Sequence, residues 1–549
     1  MIVAALRKKL AHEARKWALV QGVSLPELLT INAPPAHVKA DLSLPWPLAA
    51  AKAAKKNPIE LAKSLAEHLA RVPEVESAAA APPGFVNIVL RNSALCANLK
   101  AITLSPKSYG EDEGGPKTKV LVEFVSANPT GPLHMASGRG ATLGDSLVRI
   151  MKRLGRDAHA EYYVNDGGDR VILLGESILA RYKQSLGETA AVPEKGYQGE
   201  YLVDLAAAAP AEKSGWDTKQ WGRYAMDTLL ATHRDDMKVF DAHFDRWYLE
   251  SELFASGAVP ATLEFLKARG MVFEKDGAVW LGTMNAEGST DDKDRVLVKN
   301  TGKPTYFLPD IAYHKDKYDR GFTRVIDIFG ADHHGYVPRM RAAIAALGKA
   351  PESYHAIVHQ LIHLFRGQEA VKMSKRAGTF ISLREILDEV GKDACRFFFA
   401  LRTPDSHLNF DLELAKKQSS ENPVFYVQYV HARIHSIFRK AKETGLWAGG
   451  ELPMPNATYL TTPEERALLN KLAWFPEALL DAERLLSPHP LANYLMELAG
   501  LFHPFYEKCP VVAAQDPEQG KARLLLIAGV RDAIREGLDL LGVSAPEQM

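Results

Sequence analysis

Apolar and polar positions change period several times along the chain, and each change marks a new kind of element. The first twenty residues and Pro58 to Val72 carry apolar side chains at helical spacing, separated by a stretch holding Pro34, Pro35, Pro45 and Pro47. Gly84-Phe-Val-Asn-Ile-Val-Leu90 then alternates as a strand does, so residues 1–108 are expected to form a small α/β module. Ser105 to Lys119 mixes Gly, Pro and charge without apolar period, which predicts a linker. After it, Val-Leu-Val-Glu-Phe-Val at 120–125 has the composition of a buried strand. A Pro/Gly loop follows, then a helix from about Ser137 to Leu154, then a strand from Asp157 to Asn165. Strand, helix and strand in that order predict a βαβ unit of a parallel sheet.

Strand-like runs return at Val325 to Phe329 and at Ala356 to Ile362. A parallel sheet within 109–410, interrupted by an insertion at about 168–290, accounts for both. Beyond Phe410 the pattern is helical, at Pro463 to Leu486, Pro490 to Tyr506 and Lys521 to Leu541, so 411–549 is expected to be a bundle. The predicted fold class is therefore α/β: a Rossmann-like parallel-sheet domain with an insertion, flanked by a small N-terminal α/β domain and a C-terminal all-α bundle.

Bulk properties narrow the picture only slightly. At 549 residues the chain exceeds one hydrophobic core. Its 67 Lys and Arg balance 67 Asp and Glu, so overall charge gives no electrostatic footprint for a nucleic acid. Cys96, Cys395 and Cys509 lie too far apart for a disulfide framework or a CxxC zinc site, which favours a reducing cytoplasm. No apolar run approaches the roughly 20 residues that span a bilayer. Arg7, Lys8, Lys9, Arg15 and Lys16 give the first twenty residues the look of a transit peptide, but Glu13 interrupts them. An amphipathic helix of the folded protein is the preferred reading.

Three segments carry candidate chemistry. The loop Ala127-Asn128-Pro129-Thr130-Gly131-Pro132-Leu133-His134-Met135-Ala136-Ser137 joins the first strand of the sheet to its helix, where open α/β sheets bind ligands. A helix N-terminus stabilises anions, His134 can donate to a phosphate oxygen, and Ser137 is placed to serve as N-cap and donor. There is no GxGxxG and no Walker lysine. In Lys372-Met373-Ser374-Lys375-Arg376 the cations suit negative charge developing on phosphate oxygens; a basic surface turn is the plainer alternative. Tyr306 and Asp310, four residues apart, are expected on one face of a helical turn, although Asp310 equally suits an N-cap.

These segments together carry a resemblance. Glu123-Phe-Val-Ser-Ala-Asn-Pro-Thr-Gly-Pro-Leu-His134 resembles the HIGH region of class I aminoacyl-tRNA synthetases in its arginyl-tRNA synthetase form. The four motif positions are His134, Met135, Ala136 and Ser137, with a serine in place of the usual second histidine. Lys372 to Arg376 resembles the KMSKS signature, and Thr305 to His314 resembles the family's TYF..DIAYH region. The resemblance implies catalytic roles for His134, Ser137, Lys372 and Lys375. It implies ATP contacts from these residues and from Gly330, Asp332, His333, Met373 and Ser374. Two adjacent histidines, His333 and His334, are not metal ligands by spacing. Arginine would be bound by Glu123, Asn128, Tyr306 and Asp310; the division of the α-amino contact between Glu123 and Asn128 stays open.

The resemblance extends to the C-terminal part, where Glu421 to Arg433 is similar to the family's NPVYYVQYAHAR segment. It implies tRNA contacts from Asn422, Tyr426, Gln428, Tyr429, His431 and Arg433, by stacking and edge recognition. By the same helical spacing, Phe425 and some of the tyrosines belong to the core. From Asp411 to the end, 14 Lys and Arg face 18 Asp and Glu, so nonspecific attraction does not recruit RNA there. At Asp41, Leu42 and Ser43 the family's usual aromatic is missing. The implied substrates are L-arginine, ATP and tRNA(Arg), with Mg2+ on the ATP phosphates, no structural zinc, a monomeric enzyme, and tRNA needed before activation.

Overall fold

The computed structural model describes all residues except 1, 28, 36, 113–114, 284–292 and 372–380, and all side chains of the remainder except those of 2–5, 212 and 332–334. Its centre is a parallel five-stranded sheet ordered Tyr354–His359, Arg324–Gly330, Lys119–Glu123, Asp157–Val164, Arg246–Leu249. Val120, Leu121 and Val122 are buried on both faces, as a strand inside a parallel sheet requires. Chain order runs outward from Lys119–Glu123 on one side and resumes next to it, at Arg324–Gly330, on the other. The switch point between these two strands is where ligands bind in open α/β sheets. Helix Met135–Arg153 covers the first strand so closely that a Cβ on Gly144 would stand 2.1 Å from the Phe124 ring.

Three departures from the pattern-based reading have physical causes. The run 356–362 is two strands in different sheets, because after His359 the chain bends and Gln360 bonds the carbonyl of Pro404. Ile362–Arg366 then pairs with Glu369–Ala370 and Leu408–Asp411. The helix expected over 463–486 is two helices, Pro463–Ala473 and Phe475–Arg484, since Pro476 cannot continue the first and suits the start of the second. The insertion of about 168–290 is not one block: Arg246–Leu249 returns to the sheet as its edge strand. The chain therefore leaves the sheet twice, first for the helices Asp169–Ser185, Tyr201–Ala208 and Thr218–Val239, then for a small antiparallel sheet of Val272–Lys275, Ala278–Leu281 and Arg295–Val298.

The N-terminal module packs Ile2–Gln21, Trp46–Ala54, Pro58–Leu69 and Asn92–Leu104 with a three-stranded antiparallel sheet. It docks on the C-terminal helices. Arg466 bonds the Asp41 carboxylate at 2.6 Å and the carbonyl of Leu90 at 2.8 Å, and Asn92 donates to the carbonyls of Ala457 and Leu460. Asp41 is thus a buried clasp. Tyr109, in the expected linker, is also buried: it stacks on Phe475 and donates to the carbonyl of Leu472. Pro423–Glu443, the two helices at 463–484, His489–Lys508 and Pro517–Leu540 complete the bundle. Among the described residues no helix is long and apolar enough to cross a membrane.

Candidate active site

The loop after the first strand starts with a strained turn. Ser126 N–H bonds the carbonyl of Phe124 at 2.9 Å around Val125, whose φ is 68°, and Ser126 follows at 38°. A β-branched residue in the left-handed region costs about 1–3 kcal/mol and persists where its surroundings over-determine it. Here they do. Ser126 Oγ donates to Glu123 Oε1 at 2.8 Å and accepts from the Tyr163 amide at 3.0 Å, while Tyr162 Oη accepts from the Ala127 amide at 3.1 Å.

The loop ends at His134, the extended N-cap residue of helix Met135–Arg153. No acidic residue occupies that helix's first turn, so its positive end is left for an anion. Ser137 is not the N-cap, as its position had suggested; it lies within the first turn, buried, its amide bonded to the His134 carbonyl. Leu133 and His134 pair with Ser382 and Leu383, the Leu383 amide donating to the Leu133 carbonyl at 2.8 Å.

Beside this loop, the ends of the two central strands and helix Phe307–Asp319 enclose an acidic, aromatic-walled region. Asp310 Oδ2 accepts from the Tyr336 hydroxyl. Burial pushes its carboxyl up to about 6, opposed by the Tyr336 bond and His314, with Glu250 and Glu123 adding to the rise. The chief groups lowering it are thus a phenol and an imidazole rather than a lysine or arginine. Other carboxylates nearby are committed. Glu161 is held by Arg320 through both oxygens, at 2.6 and 2.8 Å, and accepts from Tyr313 at 2.7 Å. Burial alone would raise Asp327, yet Lys317 and His314, at 2.8 Å on opposite oxygens, hold it below the usual range. The same fully buried Lys317 reaches Glu123 Oε2 at 2.6 Å, and the two carboxylates overcome desolvation to hold the ammonium charged.

Of the residues expected to bind arginine, Glu123 and Asp310 share this region, and Asn128 lies partly buried in the adjoining loop. Tyr306 precedes the helix with 73% of its surface exposed, while Asp310 lies inside the helix's first turn. Gly330 ends its strand at the switch point. The side chains of Asp332 and His333, and all of Lys372, Met373, Ser374 and Lys375, lie outside the described residues. Sequence reasoning missed Tyr336, Tyr163 and Glu250, whose carboxylate accepts from Tyr163 at 3.1 Å. No local signal marks them, because their partners are distant in sequence: Asp310 lies 26 residues from Tyr336, and Glu250 lies 87 from Tyr163.

On helix Pro423–Glu443, three of the residues expected to contact tRNA are buried. Asn422 is its buried N-cap, accepting from the Val424 amide and donating to the carbonyls of Ala415 and Lys417. Gln428 is buried, its amide donating to Asp393 and to the Ser544 carbonyl, both at 2.9 Å. His431 is buried against the Pro546 carbonyl at 2.8 Å, and burial lowers its basicity. Buried polar groups need partners, and the chain's C-terminal tail supplies two of these three sets. Tyr429 is 41% exposed, Tyr426 packs on His503 with ring centroids 4.9 Å apart, and Arg433 lies over the Tyr506 ring.

A parallel sheet whose switch point lies beside a helix N-terminus, followed in the chain by a helical bundle, matches known proteins closely. Residues 199–400 match the catalytic domain of class I (R) tRNA synthetases. The fold and site define a class I aminoacyl-tRNA synthetase. Residues 4–90 match the arginyl tRNA synthetase N-terminal domain, and 427–549 the DALR anticodon binding domain. The chain is 51% identical to the arginine–tRNA ligase of Elusimicrobium minutum, covering 99% of each, and 45% identical to that of Desulforudis audaxviator, covering 99% of this chain and 98% of that one. The solved Thermus thermophilus arginyl-tRNA synthetase shares the fold, with a TM-score of 0.79 at 24% identity over 99% of this chain and 100% of that one. The chain belongs to the arginyl-tRNA synthetase family, and it joins arginine to tRNA.

Proposed function

We propose that Asp310 is the guanidinium acceptor and that the loop 127–137 holds the ATP phosphates. The observation that carries this reading is the Asp310 carboxylate, sequestered among tyrosines and raised to about 6 with no lysine or arginine among its chief partners. A planar guanidinium supplies the missing charge in a geometry that a carboxylate matches bidentately. Tyr306 and Tyr336 flank the stem, and Glu123 and Asn128 serve the other end of the amino acid. Glu123 is already oriented by Lys317 and Ser126, so it meets the substrate without reorganising.

The arginine carboxylate attacks the ATP α-phosphate in line, giving arginyl-adenylate and pyrophosphate. His134 and the N-terminus of helix Met135–Arg153 stabilise charge on the phosphates, with Ser137, Lys372 and Lys375 completing the set. Gly330, Asp332, His333, Met373 and Ser374 contact the nucleotide. Magnesium arrives on the phosphate oxygens as part of the substrate. The 3′-terminal ribose hydroxyl of tRNA(Arg) then takes the arginyl group, and Tyr426, Tyr429 and Arg433 meet the anticodon. ATP–pyrophosphate exchange tests the reading. Exchange with arginine and tRNA, and a strongly raised arginine KM in Asp310→Asn, are expected; unchanged arginine kinetics in that variant would overturn the assignment.

A further inference from the structure

The ATP loop is held from outside by groups that the reaction itself does not use. His233 Nε2 lies 2.7 Å from the carbonyl of Gly131, and Tyr201 donates to the carbonyl of Thr130 at 2.6 Å. His233 is fully buried, and burial lowers its pKa, so it is a neutral donor through Nε2 with Nδ1 facing the Tyr162 hydroxyl at 3.1 Å. These side chains come from the insertion helices Thr218–Val239 and Tyr201–Ala208, which Tyr224 joins by bonding the Leu205 carbonyl.

The other end of the loop is tied to the same helix. One turn after His233, Asp236 accepts from Arg384 Nε at 2.9 Å, and Asp235 accepts from the same guanidinium. Arg384 follows Leu383, whose amide holds the Leu133 carbonyl. The helix is itself rigidly based. Asp217 and Gln220 form its capping box, and a Cβ on Gly222 would fall 2.3 Å from the Val171 carbonyl of the neighbouring helix.

We propose that helix Thr218–Val239 is the positioning element of the ATP loop, gripping it near Gly131 through His233 and near Leu133 through Arg384, with Tyr201 as a second strap. The proposal rests on the reading of 127–137 as the ATP loop. It follows that ATP affinity is set from the insertion more strongly than arginine affinity, because Asp310 and Glu123 stand on other elements and, of the proposed arginine contacts, Asn128 alone lies in the loop. The His233 and Tyr201 bonds are neutral, worth about 5-fold each in binding, whereas Arg384 is held to the helix by an ion pair.

Pyrophosphate exchange with tRNA present tests this. His233→Phe and Tyr201→Phe should each raise the ATP KM about 5-fold and leave the arginine KM within about twofold. His233→Gln, whose amide restores a donor near the Nε2 position, should recover most of the loss. Combining His233→Phe with Arg384→Gln should give less than the product of the single effects, since both release one loop. ATP and arginine KM rising together, or no rise in ATP KM, would overturn the proposal. If His233→Phe does not fold, Tyr201→Phe, which removes one hydroxyl, carries the test. His134→Gln separates the two readings: if it disturbs ATP use while Tyr201→Phe and His233→Phe do not, the strut fails and the ATP loop stands. If it too is silent, the loop reading fails.

Discussion

The ammonium of Lys317 sits 2.6 Å from Oε2 of Glu123 and 2.8 Å from Oδ1 of Asp327, with none of its side chain exposed. One cation therefore bridges two buried carboxylates between the central strands. Replacing it with Met leaves Glu123 without a cation and Asp327 with His314 alone in a dry site, a change that costs about 3–5 kcal/mol. Urea unfolding of Lys317→Met should show a loss of that size; a loss under about 1 kcal/mol would mean that water reaches the pair.

Arginine binding should weaken in acid. Asp310 is raised to about 6 in the free protein, and the guanidinium binds its ionised form, so binding must displace a proton below that pH. The arginine KM should be flat above pH 7 and climb towards tenfold per unit below about 6. A KM independent of pH between 5 and 8 would remove Asp310 from the guanidinium site.

The same carboxylate should reduce the stability of the free enzyme. Its folded pKa of about 6 lies above the ordinary 3.8, so ionised Asp310 is disfavoured by folding. The cost is fully present above pH 6 and vanishes below about 4. Asp310→Asn, which still accepts from Tyr336, should therefore gain about 1–3 kcal/mol near pH 7.5 and nothing near pH 4. Denaturant midpoints at the two pH values distinguish this from a pH-independent packing effect.

On the anticodon helix, burial separates two neighbours. Tyr429→Ala should raise the tRNA KM roughly 5- to 100-fold, the range for losing one stacked base, without moving the melting temperature. Gln428→Leu should do the reverse, lowering the melting temperature because Asp393 and the Ser544 carbonyl lose their donor. Equal effects of the two on tRNA KM would contradict their different exposure.

Much of this architecture was legible where apolar period and length agree, as in Lys119–Glu123, Met135–Arg153 and Asp157–Val164. Arg246–Leu249 escaped because four residues are too short a run to mark a strand and, as an edge strand, it fully buries only Tyr248. The division of 356–362 between two sheets depends on Gln360 bonding residue 404, a contact invisible to local pattern. In the site, Asp310 was found through resemblance, while Tyr336 and Lys317 were not, since their partners lie 26 and 194 residues away. The burial of Gln428 and His431 was not legible for the same reason: polar residues on a helix suggest an outer face, and their partners lie on the returning tail at 544–546.

The Asp41–Arg466 clasp spans 425 residues of chain, and the Asn92 bonds span 365 and 368. At ribosomal speeds of about 5–20 residues per second, the first module waits roughly 20–85 s for Arg466 to be made. Through that interval the Asp41 carboxylate has the Leu90 amide, at 2.7 Å, but not its guanidinium. The helix Asn92–Leu104 likewise waits: Leu99 approaches so near to Gly529 that a Cβ there would stand 2.4 Å away, and it lacks that cover until helix Pro517–Leu540 emerges. Closure of the molecule is thus a late event of synthesis, and a ribosome stalled before residue 466 would present an unmated apolar face to the cell's chaperones.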